Sequence, residues 1–113
     1  YIGDGSNRWA AAHRADVAPV YRLAMEKGEA GARYHAVSDE RVRIRDIAEI
    51  IGRQLNIPVV SIKPEQAPEH FGWLAAFAAG DAPSSSALTQ QRLGWKPTQL
   101  GLIADISRPG YFG

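Results

Sequence analysis

Two stretches of the chain carry apolar residues at helical spacing. In the first stretch they stand at i, i+3, i+4 and i+7, at Val17, Val20, Tyr21 and Ala24. This pattern predicts an amphipathic helix over about residues 16–27. Asp16 is its expected N-cap, because a carboxylate there accepts from free N–H groups of the first turn. Gly28 and Gly31 are expected to end the helix.

A second amphipathic pattern lies between two short runs typical of strands. Its apolar face is made of Ile47, Ile50, Ile51 and Leu55. We expect a helix over about residues 44–55, which Asn56 and Pro58 end. The flanking runs, 34–37 and 59–62, are strand candidates. A strand–helix–strand order is typical of a parallel pair with a crossover, so we expect a small parallel sheet.

The last third of the chain predicts shorter helices separated by turn residues. Residues 64–79 form a helical region that Pro68 divides or restarts. Residues 80–83 interrupt it, and Ser84 or Ser85 then caps a further helix that ends near Leu93. One or two more helical turns follow over 100–106. The predicted fold class is therefore α+β and helix-rich, with four or so helices and a small parallel strand pair, in one domain over residues 1–113.

Composition narrows the function classes. Thirteen basic and twelve acidic residues give a net charge of +1, which argues against a dedicated nucleic-acid binder. The chain has no cysteine, so disulfides, cysteine metal sites and thiol catalysis are excluded. No apolar run approaches the length of a membrane span. We expect a cytoplasmic protein with no membrane partner, and a fragment of a longer protein, since the chain opens on Tyr1.

The opening segment also carries a family resemblance. Its ordered positions are Gly3, Asp4, Gly5, Arg8, Trp9, His13, Asp16 and Ala18. They resemble the segment that opens the C-terminal half of extended short-chain dehydrogenase/reductases, the NAD-dependent epimerase/dehydratase family. Three later segments follow in the family's order: 31–37 resembles its G-x-x-Y-x-x strand, 45–51 its next helix, and 93–97 its L-G-W-x-P close. The resemblance spans nearly the whole chain.

This resemblance implies the C-terminal, substrate-binding portion of a Rossmann-type enzyme. The family's N-terminal domain holds NAD or NADP, and its chemistry is hydride transfer within an oxidoreductase, epimerase or dehydratase. The present chain contains neither the glycine-rich dinucleotide turn nor a Tyr-x-x-x-Lys pair. We therefore expect no cofactor site, no metal site and no catalytic residue in it, and no activity without the missing Rossmann domain.

Five residues are expected to bind substrate. In the resembled family, the arginine corresponding to Arg8 commonly contacts the diphosphate of a nucleotide-sugar. We expect Asn7 and Trp9 to line the same pocket in this chain. The family's second arginine, in an R-x-G-D turn, is absent from residues 78–81, which read Ala-Ala-Gly-Asp. Its absence favours a different small carbonyl or hydroxyl compound. His13, at a strand end, and His70 complete the set.

Structural alternatives remain open for each of these residues. Arg8 could be a solvated or salt-bridged loop residue, and Trp9 could belong to the core. His13 could bond the backbone or Asp16, and His70 could be exposed or capping. A hydrolase built on Ser84 with a histidine and an aspartate has no G-x-S-x-G motif to support it.

The second function class is a stand-alone α+β binding or protein-interaction module without catalysis. It would use the aromatic face, which we define as Phe71, Trp73 and Phe77. The same face predicts self-association of the isolated chain, because a large exposed apolar patch favours contact with another copy.

Overall fold

The chain folds as a small, helix-rich α+β structure. The computed structural model describes all of its residues, 1–113. Its elements in chain order are β1 (Arg8–Ala11), α1 (Arg14–Lys27), β2 (Asp39–Arg43), α2 (Ile44–Leu55), α3 (Ala67–Phe71), α4 (Ala75–Ala79), α5 (Ala87–Leu93) and α6 (Leu102–Ile106). Two single-turn 3₁₀ helices, Pro64–Gln66 and Gly72–Leu74, stand before α3 and α4.

The sheet is antiparallel, so the predicted parallel pair is wrong. Strands β1 and β2 place Arg8 opposite Arg43 and Trp9 opposite Val42. Residues 34–37 form no strand, because α5 takes up their backbone groups: the His35 N–H donates to Thr89 Oγ1, 2.8 Å away. Residues 59–62 contribute one parallel bridge, between Ile62 and Ile2.

Helix α1 begins two residues before the predicted position. His13 is the N-cap, and its Nδ1 accepts from the Ala15 N–H at 3.0 Å. The predicted N-cap, Asp16, is the third helical residue instead. Tyr21 was also placed wrongly on the buried stripe: it is 72% exposed, and Val20 is the buried residue of this helix face. Gly28 follows the last helical residue, as predicted.

Helix α2 has the predicted limits. Asn56 ends it in the left-handed conformation, with φ 54°. Ile50 is its buried apolar residue, while Leu55 is about half exposed. A Cβ on Gly52 would lie 2.2 Å from Val59 Cγ2, so the extended segment after the helix packs directly on this glycine.

The predicted helical region over residues 64–79 is divided at Gly72 and not at Pro68. Gly72 has φ 57°, a left-handed value that stops α3, and a 3₁₀ turn separates α3 from α4. Pro68 lies in the first turn of α3, where a proline is tolerated. The break leaves two aromatic residues in solvent: Trp73 is 90% exposed and Phe77 is 65% exposed.

The main core joins α1 to α5 and the residues after it. Val20, Leu93 and Trp95 form a buried cluster, and Gly94 turns the chain at φ 63°. The Trp95 indole donates to the Asp16 carbonyl at 2.9 Å. At the start of α5, Ser85 Oγ accepts from the Ala87 N–H, so one of the two predicted capping serines does bond the first turn.

The whole fold is open and flat. Its dimensions are 45 × 33 × 19 Å and its radius of gyration is 16.4 Å. A compact domain of about this length has a radius of gyration of roughly 13 Å. Only 15 of the 113 residues are buried, and many large apolar side chains lie at the surface. None of its helices combines the length and the apolar character needed to cross a membrane.

Candidate functional site

Three of the predicted substrate-binding residues are brought together at the start of β1. Asn7, Arg8 and Trp9 each contact the segment that contains α4 and the turn after it. The Asn7 side-chain amide donates to the carbonyls of Ala78 and Gly80, both at 2.9 Å. A parallel bridge between Trp9 and Ala82 continues the contact. We call Asn7, Arg8, Trp9, Phe77 and Asp81 the β1–α4 face.

Arg8 forms a bidentate ion pair with Asp81. Its Nε lies 3.0 Å from Asp81 Oδ1 and its Nη2 lies 2.8 Å from Asp81 Oδ2. The backbone N–H of Arg8 also donates to Oδ1 at 2.7 Å. These bonds lower the pKa of Asp81 to about 2 and raise the pKa of Arg8. Both side chains remain open to solvent, with exposed fractions of 39% and 46%.

Trp9 lies on the other face of β1, because successive strand residues point in opposite directions. Its ring packs on Phe77, with centroids 4.8 Å apart and planes tilted by 50°. A shallow hollow of about 300 Å³ lies against this pair, and Ala76 and Gly80 help to line it. A larger polar groove of about 540 Å³ lies beside Asn7, Arg8 and Asp81. The β1–α4 face therefore offers both an apolar and a polar surface.

The two predicted histidines lie elsewhere. His13 is at the opposite end of β1, where its Nε2 is 3.7 Å from Asp105 Oδ2. His70 stacks edge-on against Phe71, with ring centroids 4.7 Å apart, beside an apolar hollow formed with Ile51 and Val59. The five predicted residues thus do not form one site.

Two other arrangements bear on catalysis. Ser84 Oγ lies 3.2 Å from His35 Nδ1, but no carboxylate bonds the histidine, so the pair lacks the third member of a hydrolase triad. No group of three or more His, Asp or Glu side chains is arranged to hold a metal ion.

The sequence analysis missed Asp81 as a partner of Arg8. The two residues are 73 positions apart, and no local spacing pattern connects them. The turn at 80–83 was identified, and it does place Asp81 on an exposed bend where a long arginine can reach it. Arg108, Asp105 and Tyr111, which line a cavity together with His13, were missed as well, since the tail offered no periodic pattern.

Comparison with known proteins finds two close relatives of unknown role. Both are named as uncharacterized proteins. C2A9.02 of Schizosaccharomyces pombe is 53% identical over 112 residues, which are 99% of this chain and 38% of that protein. YLL056C of Saccharomyces cerevisiae is 49% identical over 106 residues, 94% of this chain and 36% of that protein. The chain therefore spans little more than a third of the length of these curated relatives.

No family model matches the chain, and no solved structure matches it significantly.

Proposed function

We propose that this chain is the substrate-binding portion of a larger NAD(P)-dependent oxidoreductase, epimerase or dehydratase. In this proposal another domain binds the dinucleotide, and the chain supplies one wall of the substrate pocket. The ordered resemblance of residues 3–18, 31–37, 45–51 and 93–97 to extended short-chain dehydrogenase/reductases supports it. The chain by itself has no turnover.

The structural observation that supports a second, covering domain in this proposal is the open apolar side of the fold. Trp73, Leu74 and Phe77 are exposed next to the β1–α4 face, and the radius of gyration exceeds that of a compact domain. Exposed apolar patches of this kind mark surfaces that another domain, a ligand or a partner covers. A cofactor-binding domain placed there would bury the aromatic residues and enclose a pocket.

The length of the relatives is consistent with such a domain. The 112 matched residues are 38% of the fission-yeast protein, which is therefore about 295 residues long. About 180 of its residues lie outside the match, and this length is within the usual size of one domain. A dinucleotide-binding domain would fit in it.

The β1–α4 face also favours one kind of substrate. Asp81 occupies the guanidinium fork of Arg8 and places a carboxylate where a diphosphate would have to bind. A second arginine is absent from the turn at 78–81. An uncharged carbonyl or hydroxyl compound in the polar groove beside Asn7 and Arg8 avoids this repulsion. We therefore favour such a compound over a nucleotide-sugar.

The proposal is tested by titrating NADH and NADPH into two proteins. One is the full gene product that contains this chain, and the other is the 113-residue chain alone. We expect the full product to enhance and shift the nicotinamide fluorescence, and the chain alone to leave it unchanged. Tight binding by the chain alone, or no binding by the full product, would contradict the proposal.

A protein-interaction module without catalysis is the second candidate. The 90% exposure of Trp73 favours it, since a large aromatic side chain is seldom left fully in solvent without a partner. The same titration separates the two candidates, because an interaction module needs no dinucleotide in either form of the protein.

A further inference from the structure

A second cavity lies at the end of β1 opposite the β1–α4 face. It is enclosed by the residues between β1 and α1 on one side and by α6 and the C-terminal tail on the other. Its volume is about 410 Å³, and His13, Arg14, Leu100, Leu102, Arg108 and Tyr111 are among its lining residues. Sites for small molecules commonly enclose about 300–1,000 Å³. We call it the His13 cavity.

The charged groups of this cavity carry a net positive charge. Asp105 is its one carboxylate, and it already bonds Arg108, with Asp105 Oδ1 2.6 Å from Arg108 Nη2. The Arg108 Nε also donates to the Asp105 carbonyl at 3.4 Å, and the remaining N–H donors of the guanidinium, which has five, are free. Arg14 is exposed and forms no ion pair and no side-chain hydrogen bond within the chain. The cavity thus offers one uncompensated cation and spare donors beside it.

Two further features define what would fit. Leu100 and Leu102 give one side of the cavity an apolar surface. Tyr111 also lines the cavity, and its hydroxyl makes no hydrogen bond within the chain. Arginine forks bind carboxylate and phosphate oxygens bidentately, and a tyrosine hydroxyl can donate to the same group.

His13 and Asp105 fix the shape of the cavity. His13 is immobilised as the N-cap of α1, and its Nε2 faces the Asp105 carboxylate 3.7 Å away. Asp105 is buried at 8% exposure and bonds Arg108, so this ion pair holds Arg108 at the end of α6 beside His13.

We propose that the His13 cavity binds a small organic anion that carries a carboxylate or a phosphate group. The anionic group would contact Arg14, Arg108 and Tyr111, and a short apolar body would rest on Leu100 and Leu102. This site is separate from the β1–α4 face. It requires neither a dinucleotide nor a second domain, so it stands or fails independently of the proposed function.

The test is an amide NMR titration of the uniformly ¹⁵N-labelled 113-residue chain at constant ionic strength. Inorganic phosphate and butyrate are the two probes, and sodium chloride is the reference. We expect saturable shifts confined to residues 11–14 and 100–111. If only phosphate saturates the shifts, the ligand carries a phosphate group. If only butyrate saturates them, or if butyrate binds more tightly than phosphate, the ligand carries a carboxylate.

Two variants and a control test which residues bind the anion. Arg14→Gln should weaken binding about tenfold or more, because it removes a charge-assisted bond to the anion, and Tyr111→Phe should weaken it to a smaller extent. Arg22→Gln is the matched control: it removes an arginine from the same helix, 70% exposed, and should leave binding unchanged.

The proposal is overturned if neither probe gives saturable shifts at these residues. It is equally overturned if Arg14→Gln binds as the unmodified chain does, or if Arg22→Gln weakens binding as much as Arg14→Gln, since the anions would then only screen surface arginines. Arg14 is exposed and unpaired, so its replacement removes no contact that the fold needs.

Discussion

Replacing Asp16 by Asn should destabilise the fold markedly. Asp16 is 3% exposed, and its carboxylate accepts hydrogen bonds from the backbone N–H groups of Thr98 and Gln99 at 2.9 and 3.0 Å. These bonds attach the chain after Trp95 to the first turn of α1. The Thr98 hydroxyl adds a longer bond of 3.4 Å. The carboxylate therefore joins two segments that are more than 80 residues apart.

The expected magnitude follows from what asparagine can still bond. Its carbonyl oxygen can accept from one backbone N–H, but its amide group faces the other as a second donor. A hydrogen bond to a charged acceptor contributes about 1.5–3 kcal/mol, and a buried donor left unpaired costs about 1–3 kcal/mol. We expect Asp16→Asn to lower the free energy of unfolding by about 2 kcal/mol. Asp16→Ala removes both bonds and should lower it by about 4 kcal/mol.

Asp46→Asn is the matched control for this substitution. Asp46 is the third residue of α2, as Asp16 is of α1, so the interaction with the helix dipole is common to both. Its side chain forms a surface ion pair with Arg43 instead of bonding buried backbone. Such pairs contribute about 1 kcal/mol or less. Urea unfolding followed by tryptophan fluorescence measures both variants, and equal losses would refute the reasoning for Asp16.

The pH dependence gives a second readout of the same bonds. Burial alone would raise the pKa of Asp16, but the hydrogen bonds from Thr98 and Gln99 outweigh it and hold the pKa below its ordinary value of 3.8. The unfolded chain then binds more protons than the folded chain between these two values. The contribution of Asp16 to stability is therefore present above the ordinary pKa of 3.8 and is lost as the pH falls through the lowered pKa of the folded chain. The difference between the unmodified chain and Asp16→Asn should shrink over the same range.

Three further substitutions test the packing, the turns and the open surface. Gly52→Ala should lower the free energy of unfolding by about 1–3 kcal/mol, since the new Cβ would lie 2.2 Å from Val59 Cγ2; a gain from higher helix propensity would contradict this in a urea titration. Gly94→Ala should cost about 1 kcal/mol in the same assay because φ is 63° there, and an unchanged midpoint would contradict it. Light scattering should detect self-association of the chain at high concentration that Trp73→Gln reduces, whereas a monodisperse monomer would contradict the predicted role of the aromatic face.

Local patterns predicted those elements whose ends are marked by local chemistry. Helix α2 has the expected limits because they are set by local features of the sequence. These are the apolar spacing inside the helix and the two residues that end it, Asn56 and Pro58. Helix α5 likewise ends at Leu93 as expected, and Gly94 follows it. The break at Gly72 was missed, because a single glycine inside an apolar helical pattern can also be tolerated.

Long-range contacts decided the elements that were predicted wrongly. Strand β2 has the sequence Asp-Glu-Arg-Val-Arg, and nothing in this mostly charged composition indicates a strand. Only Val42 in it is buried. The more strand-like run at 34–37 bonds α5 instead. Asp16 has the residue type of an N-cap, but its partners lie beyond residue 95 and no local spacing reveals them.

The candidate site was predicted in part. The resemblance pointed to Asn7, Arg8 and Trp9, which the fold does place together. It could not indicate that Asp81 pairs with Arg8, because that contact depends on how the turn after α4 docks on β1. His13 and His70 lie apart from these three residues and from each other, because their positions also depend on how distant segments dock.

Whether a second domain covers the aromatic face is tested most directly by the fluorescence of Trp73. The emission of Trp73 is obtained as the difference between the unmodified protein and Trp73→Phe, in the 113-residue chain and in the full gene product, with acrylamide as quencher. In the chain, where Trp73 is 90% exposed, this emission should be red-shifted and readily quenched. In the full gene product it should be blue-shifted and protected. Equal quenching in both proteins would contradict a covering domain and, with it, a substrate pocket formed on this face.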